Sequence, residues 1–342
     1  MAGFMTVCQK ELADHLGSKR YMVLFALILV LSTLSAYQGA EYIKNNPQAG
    51  FLAIFSGSQF GFSFTYLMVY FGPIVGLALG FDAINKERTS GSLSVLLSQP
   101  IFRDSVINGK FLAGTAALSL LTGSTIGIMT GIAIPILGFG PALEDVSRIA
   151  LFTLLTILYL SFWMALGLLF STVTKKTTTS ILASVSTWLF FSIVVTIIAT
   201  LVANLIAPVQ MPTFPGAGQG GEGFTPGGGR FNQTRPGGFN RTQITQSQEY
   251  MEQIQGRFTI QTNIQRISPA YLYSEASSAI LGVIGGGGFG FIGGGGNPFR
   301  ALRLSEGLAA TWPQITAIAV GLVACFAASY MLFLRQEIRP GD

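Results

Sequence analysis

Apolar and charged positions in this chain are segregated on the scale of a bilayer rather than of a helix face. Six uncharged stretches are each long enough for one crossing, which takes about 20 apolar residues as a helix. They fall at 21–40, at 60–81, within 111–143, at 149–174, at 180–207 and at 313–334. The approach to the second is also uncharged and rich in phenylalanine (Phe51, Phe55, Phe60, Phe62, Phe64), which predicts a segment resting on the outer membrane surface. Pro135 removes a helix hydrogen bond and predicts a kinked or broken far end for the third. Trp312 stands at the mouth of the sixth as an interfacial anchor.

Residues 1–20 follow a different period. Phe4, Val7, Cys8, Leu12, His15 and Leu16 recur at i, i+3, i+4 spacing, with Gln9, Lys10, Asp14 and Ser18 on other faces. That predicts an amphipathic helix lying in the inner interface, with His15 an interfacial side chain rather than a ligand. Basic residues ahead of an apolar run also fit a signal peptide. The length of the run, and the mixed polarity of the residues before it, favour an uncleaved helix.

Composition agrees with membrane burial. Only 10% of the 342 residues are charged while 50% are hydrophobic, against about 25% charged in soluble domains, so much of the apolar surface must face lipid. Charge also orients the chain. Lys10, Lys19, Arg20, Lys86, Arg88, Arg103, Lys110, Lys175, Lys176, Arg335 and Arg339 fall on one side, whereas the short loops opposite hold only Lys44 and Arg148. The excess of Lys and Arg marks the cytoplasmic side, so both termini are expected there. The net charge of +5 therefore reflects topology, and no nucleic-acid partner is expected. One histidine and two cysteines (Cys8, Cys325) exclude a His/Cys metal cage and a disulfide framework within this chain.

The expected fold is an all-α integral membrane protein. A cytoplasmic amphipathic helix at 1–20 precedes transmembrane helices 1–5 at 21–207, which include a charged loop at 82–110. A long Gly-rich external loop at 208–311 leads into transmembrane helix 6 and a cytoplasmic tail at 312–342. Between Ala207 and Thr311 lie 22 of the 42 glycines. The first part of this loop is Pro/Gly/Asn/Gln-rich, and 247–267 carries enough spaced apolar residues for a short helix. Asn232-Gln-Thr234 and Asn240-Arg-Thr242 match the N-glycosylation acceptor. The apolar stretch 279–292 is too short to cross and predicts a surface or re-entrant segment. Within it, Gly288-Phe-Gly290-Phe-Ile-Gly293 matches the dinucleotide fingerprint in letters only, because no strand-to-helix turn frames it.

Catalytic chemistry is missing from the pattern. The apolar stretches contain no charge, so no buried proton relay is expected. The only Gly-Lys pair, Gly109-Lys110, is followed by Phe111 rather than Ser or Thr, so there is no P-loop. The loop joining the second and third stretches is more informative. Charges cluster at Asp82, Lys86, Glu87 and Arg88, then Leu93, Leu96 and Leu97 share one helical face before Pro100 ends the pattern. This predicts a short amphipathic helix whose apolar face could enter a partner's groove, although an ordinary interfacial helix has the same period.

Lys86-Glu87-Arg88-Thr-Ser-Gly91-Ser-Leu93, followed by Leu96-Leu97, Pro100, Arg103 and Gly109-Lys110, resembles the corresponding loop of ABC-2-type permeases, the membrane subunits of ATP-binding-cassette exporters. The amphipathic start, the six spans, the Ser268-Pro269-Ala-Tyr271-Leu-Tyr273 stretch and the Arg335-Gln-Glu337-Ile-Arg339 tail are similar to that family as well. The resemblance implies that Glu87, Arg88, Gly91, Leu93, Leu96, Leu97, Pro100 and Arg103 couple to an ATPase. It also implies a separate cytosolic ABC ATPase subunit holding ATP and Mg²⁺, no cofactor or catalysis in this chain, and a second permease copy, as homodimer or related subunit, in the plasma membrane. Gly76, Ala78 and Gly80 suit close helix packing, against that copy or within the chain's own core. Lys175-Lys176 could meet anionic lipid headgroups. An alternative from another class is a membrane scaffold or assembly factor whose external loop binds an envelope partner. Its support is Arg230, Arg235, Arg241 and Arg257 interleaved with Phe231, Phe239 and Phe258, which a solvated loop could also carry.

Overall fold

The computed structural model describes residues 2–56, 63–89, 103–208, 241–282 and 303–335. These fall in two compact units, one of Met1–Val194 with Arg266–Asp342 and one of Val195–Gln265. Among the described residues the regular structure is helical, with no strand. The first unit contains α1 (Ala2–Gly17), α2 (Lys19–Asn45), α3 (Ala53–Ser56), α4 (Phe64–Gly80), α5 (Asn85–Thr89), α6 (Arg103–Leu137) and α7 (Leu143–Val173). α8 (Thr177–Leu189) continues into a π-helical turn (Phe190–Val194), and α11 (Pro269–Ile280) and α12 (Leu304–Arg335) complete the unit. The second unit holds α9 (Val195–Ile206) and α10 (Arg241–Gln265), joined by a hydrogen bond from Gln261 Nε2 to Thr200 Oγ1 at 3.3 Å.

Six helical segments among the described residues are long and apolar enough to cross a membrane: Lys19–Asn45, Phe64–Thr89, Asp104–Leu137, Leu143–Val173, Thr177–Ile206 and Leu304–Arg335. They match the six apolar stretches, and the chain is an all-α multi-pass membrane protein. Local chemistry sets several starts. Ser18 caps α2 by accepting from the Tyr21 amide at 3.2 Å, and Ser63 caps α4 by accepting from Tyr66 at 3.1 Å; each such cap contributes about 1 kcal/mol.

α6 and α7 begin well before their apolar windows and bring a buried charge into each helix, and the expectation of charge-free spans is corrected accordingly. Lys110 lies inside α6 and Arg148 inside α7, and both are buried. A charge ends a hydropathy window, but a helix tolerates it where the fold supplies partners. Arg148 has its partners in Glu144, 2.8 Å from Nη2, and the Ile280 carbonyl, which accepts from Nη1 at 3.1 Å. Pro135 does not break α6, which continues through it to Leu137 and stops at Gly138, where φ is +77°. Pro313 likewise lies within α12.

The phenylalanine-rich approach to α4 is core rather than surface. Phe51, Phe55 and Phe64 are buried, and Phe55, Phe64 and Phe152 meet ring to ring, with centroids 5.9–6.2 Å apart. The chain reaches this position because Gly39 of α2 lets the backbone of α3 approach: a Cβ there would lie 2.8 Å from Ile54 Cα. Phe60 and Phe62 lie outside the described residues.

α7 is the axis of the unit, with Phe152, Tyr159 and Trp163 fully buried. α4 packs on it through glycines. A Cβ at Gly76 would sit 2.5 Å from the Leu160 carbonyl oxygen, and one at Gly80 would strike the Met164 carbonyl. Those two glycines are therefore used inside the chain. α11 joins the same core by stacking Tyr273 on Tyr159, centroids 4.3 Å apart. α11 carries the apolar 279–292 stretch as far as Ile280, and Gly282, with φ +75°, turns the chain; residues 283–292 lie outside the described residues.

Gly76→Leu is expected to lower unfolding stability by about 1–3 kcal/mol through overpacking. Gly123→Leu, where a Cβ meets nothing within 4 Å, leaves it unchanged or higher. Thermal unfolding in detergent separates the two, and equal effects would contradict the glycine-mediated α4–α7 contact.

Candidate functional site

The loop at 82–110 springs from a tightly fastened base. After α4 the chain turns at Phe81 and re-enters helix at α5, and the turn is held against the end of α7. The backbone amides of Ile84 and Asn85 both donate to Ser171 Oγ, at 3.0 and 3.1 Å. Asn85 is fully buried, and its amide nitrogen, turned toward α7, donates to the carbonyls of Ser171 at 3.1 Å and Thr174 at 2.6 Å. Arg88 Nη1 donates to the Thr174 carbonyl at 3.2 Å. From the next span, Ser180 Oγ donates to the Phe81 carbonyl at 2.7 Å. Arg20, at the start of α2, pairs with Asp82 at 2.6 Å and lies over the Phe81 ring, 5.5 Å from its centroid.

At the centre is Lys110. Its ammonium lies 2.9 Å from Glu11 Oε2 of α1 and 2.7 Å from Glu87 Oε1 of α5. The Lys110 side chain is only 5% exposed, against 13% and 16% for the two glutamates. A buried cation is tolerable only when paired, and here the pairing brings α1 to α5 and α6, which lie more than 60 residues further along the chain. Gly109 is the steric counterpart of this ionic contact: a Cβ there would sit 2.8 Å from Val7 Cγ1. One residue of the Gly109-Lys110 pair thus lets α1 approach α6, and the other ties it there. His15 lines the same region. Its burial is the largest influence on the imidazole and lowers the pKa below the usual 6.5, reinforced by Lys110 and opposed by Glu11, Asp82 and Asp14.

Of the residues singled out from sequence, Glu87 and Arg88 sit in this base, both partly buried and both bonded within the chain. Arg103 opens α6. Gly91, Leu93, Leu96, Leu97 and Pro100 lie outside the described residues, as do Asn232 and Asn240. Glu11, Arg20, Asp82, Lys110 and Ser171 were not singled out. Glu11 was recognisable, because it lies four residues after Val7 and four before His15 and so places a carboxylate on the apolar face of α1. Among the described residues no three of His, Cys, Asp or Glu converge to hold a metal ion.

The arrangement offers no bond-breaking constellation. It is a mechanical joint, in which both ends of the 90–102 segment, through Glu87 before it and Lys110 after it, are linked to each other and to α1. Comparison with known proteins identifies the family of the chain. A family model described as ABC-2 family transporter protein matches residues 5–338. The chain belongs to the ABC-2 transporter family. It is similar to the probable ABC transporter permease protein NosY of Pseudomonas aeruginosa, 33% identical over 117 residues, which cover 34% of this chain and 40% of the relative. It is also similar to the protein of the same name from Stutzerimonas stutzeri, 31% identical over 114 residues, 33% of this chain and 39% of the relative. The chain thus spans about 40% of the length of the curated relatives it matches.

Two outcomes test the joint. Replacing Glu11 or Glu87 by Gln leaves Lys110 one charged partner, whereas replacing both leaves it buried without one, so the double variant is expected to cost more than the sum of the singles by about 1 kcal/mol or more. Additive losses in detergent unfolding would mean that the two glutamates act independently. The His15 shift predicts a pH effect. Folded protein holds His15 neutral where a released α1 would begin to bind a proton near 6.5, so docking of α1 is unaffected above that pH and weakens as pH falls below it. Amide exchange in α1 should therefore quicken between pH 7.5 and 5.5 beyond the intrinsic rate, and His15→Gln should flatten the change. An unchanged profile in the variant would show that His15 does not set it.

Proposed function

We propose that this chain is the permease subunit of an ABC exporter in the plasma membrane, with both termini cytoplasmic. It works as a pair, with a second copy or a related subunit, and uses ATP hydrolysed with Mg²⁺ in a separate cytosolic ATPase subunit. The observation that supports this reading is the Glu11–Lys110–Glu87 joint at the base of the 90–102 segment in a member of the ABC-2 family. Leu93, Leu96 and Leu97 form the face that enters the ATPase, with Gly91 and Pro100 bounding it and Arg103 at its exit. Glu87 and Arg88 hold the segment's base.

Closure of two ATPase subunits on ATP moves the segment, and the joint passes that motion to α1, α4 and α6 together, because a displaced Lys110 would be left buried without its charges. The permease itself forms and breaks no covalent bond. Among the described residues the charges of the six spans lie toward helix ends, leaving their middles uncharged. This favours a lipid-like or amphipathic cargo over a free ion.

A tagged chain solubilised in mild detergent is expected to bring down a nucleotide-binding subunit with ATPase activity, and Leu93→Asp/Leu97→Asp is expected to lose it while keeping its own elution volume. If no nucleotide-binding subunit appears and residues 208–260 instead capture an envelope protein, the scaffold reading replaces the exporter.

A further inference from the structure

Beside the joint lies a cavity of about 240 Å³, bounded by α1, the start of α2, the end of α4, α5, the start of α6 and the inner part of α7. Its chemistry changes with depth. Leu24, Val75, Leu79, Met164 and Leu168 form an apolar floor, and Met164 and Leu168 lie about one to three turns in from the end of α7. Ionisable side chains form the wall and rim. The two signs are not equally presented. The carboxylates of Glu11, Asp82 and Glu87 are 13%, 14% and 16% exposed, whereas the Lys10 and Arg20 side chains are 62% and 52% exposed. Lys86 is exposed as well. Asp14 is the one rim carboxylate that faces out with them.

The sunken carboxylates are already engaged, Glu11 by Lys110 and, at 3.9 Å, by the outer Lys10, Glu87 by Lys110, and Asp82 by Arg20. An approaching molecule therefore meets cation heads first and apolar side chains behind them. The apolar floor disfavours a hydrated inorganic ion, and the ionised rim disfavours a hydrocarbon. What fits both is an anionic head joined to an apolar body. We propose that this cavity is a binding site for an anionic phospholipid, with the phosphate on the rim made by Lys10, Arg20 and Lys86 and the glycerol end of the acyl chains toward Leu24 and Leu79. Arg20 and Lys86 stand at the charged ends of two candidate spans, Lys19–Asn45 and Phe64–Thr89, the place along a span where lipid headgroups are met. Basic pockets between spans at that depth recognise such lipids. The site would hold a lipid whether or not an ATPase binds 90–102, so it goes beyond the exporter reading and stands separately from it.

The test places the full chain in nanodiscs of phosphatidylcholine with or without phosphatidylglycerol. It counts lipids retained by native mass spectrometry and follows hydrogen exchange at 14–24 and 82–89. The native chain is expected to retain phosphatidylglycerol and slow exchange in both segments. Lys10→Gln/Lys86→Gln changes two exposed side chains, and it should reduce retention roughly tenfold. Arg20→Gln should act in the same direction. Lys175→Gln/Lys176→Gln, exposed cations outside the cavity that can meet headgroups only diffusely, should reduce retention far less. Equal retention by the rim variant, or equal loss in the Lys175/Lys176 control, would overturn the site. Protection by inorganic phosphate in pure phosphatidylcholine discs, matching that of the lipid, would also overturn it by assigning the rim to a free anion.

Discussion

The Lys110 ammonium, held between Glu11 and Glu87, is the constraint on which the charged end of the bundle depends. Removing a cation from water is unfavourable by several kcal/mol unless opposite charges stay within bonding distance. That requirement is a geometric one: α1, the 82–89 base and α6 must keep their relative positions while Lys110 remains buried. Hydrophobic contact alone would let these elements slide, since apolar packing is non-directional. Two short charge contacts to one atom do not permit sliding. The joint therefore makes a rigid corner of three elements, of which α1 is separated from the other two by the first two spans.

The rest of the unit suits a rigid corner. α4 lies against α7 at glycine distance, and Ser171, Thr174 and Ser180 fasten the turn after α4 to the neighbouring spans. At the opposite end Arg148 plays a comparable part, tying the start of α7 to the last carbonyls of α11 just before the chain leaves the described residues. Charged residues within the spans thus occur toward helix ends, the buried Lys110 and Arg148 with opposite charges beside them, and the helix middles are left to apolar and small residues. A lipid seated on the Lys10–Arg20–Lys86 rim, as proposed above, would bear on the same corner.

The number and order of the spans were legible in the sequence because a bilayer imposes a length that no soluble fold does. Their ends were less legible. Lys110 and Arg148 stopped the hydropathy windows, and only tertiary partners, Glu11 and Glu87 for one and Glu144 and Ile280 for the other, allow the helices to run past them. Phe51 and Phe55 were misplaced for a related reason: aromatic residues suit an interface and a core equally, and the choice was made by Gly39, whose missing side chain admits α3. The π-helical turn at Phe190–Val194 had no signal in the pattern. Of the site, the family-like loop could be found from its charge and leucine spacing. The joint that anchors it could not, because salt bridges between positions 11, 87 and 110 have no local periodicity. The carboxylate at Glu11 on an otherwise apolar face was the one visible trace.

The most direct test of the joint as the transmitting element is hydrogen exchange on the chain in complex with its ATPase, with and without ATP, comparing native protein with Glu11→Gln. If the joint transmits, nucleotide alters exchange in both 82–89 and α1 of the native chain, and in the variant the response stays in 82–89 and fades from α1. An α1 that does not respond in the native complex, or responds equally in the variant, would contradict that role.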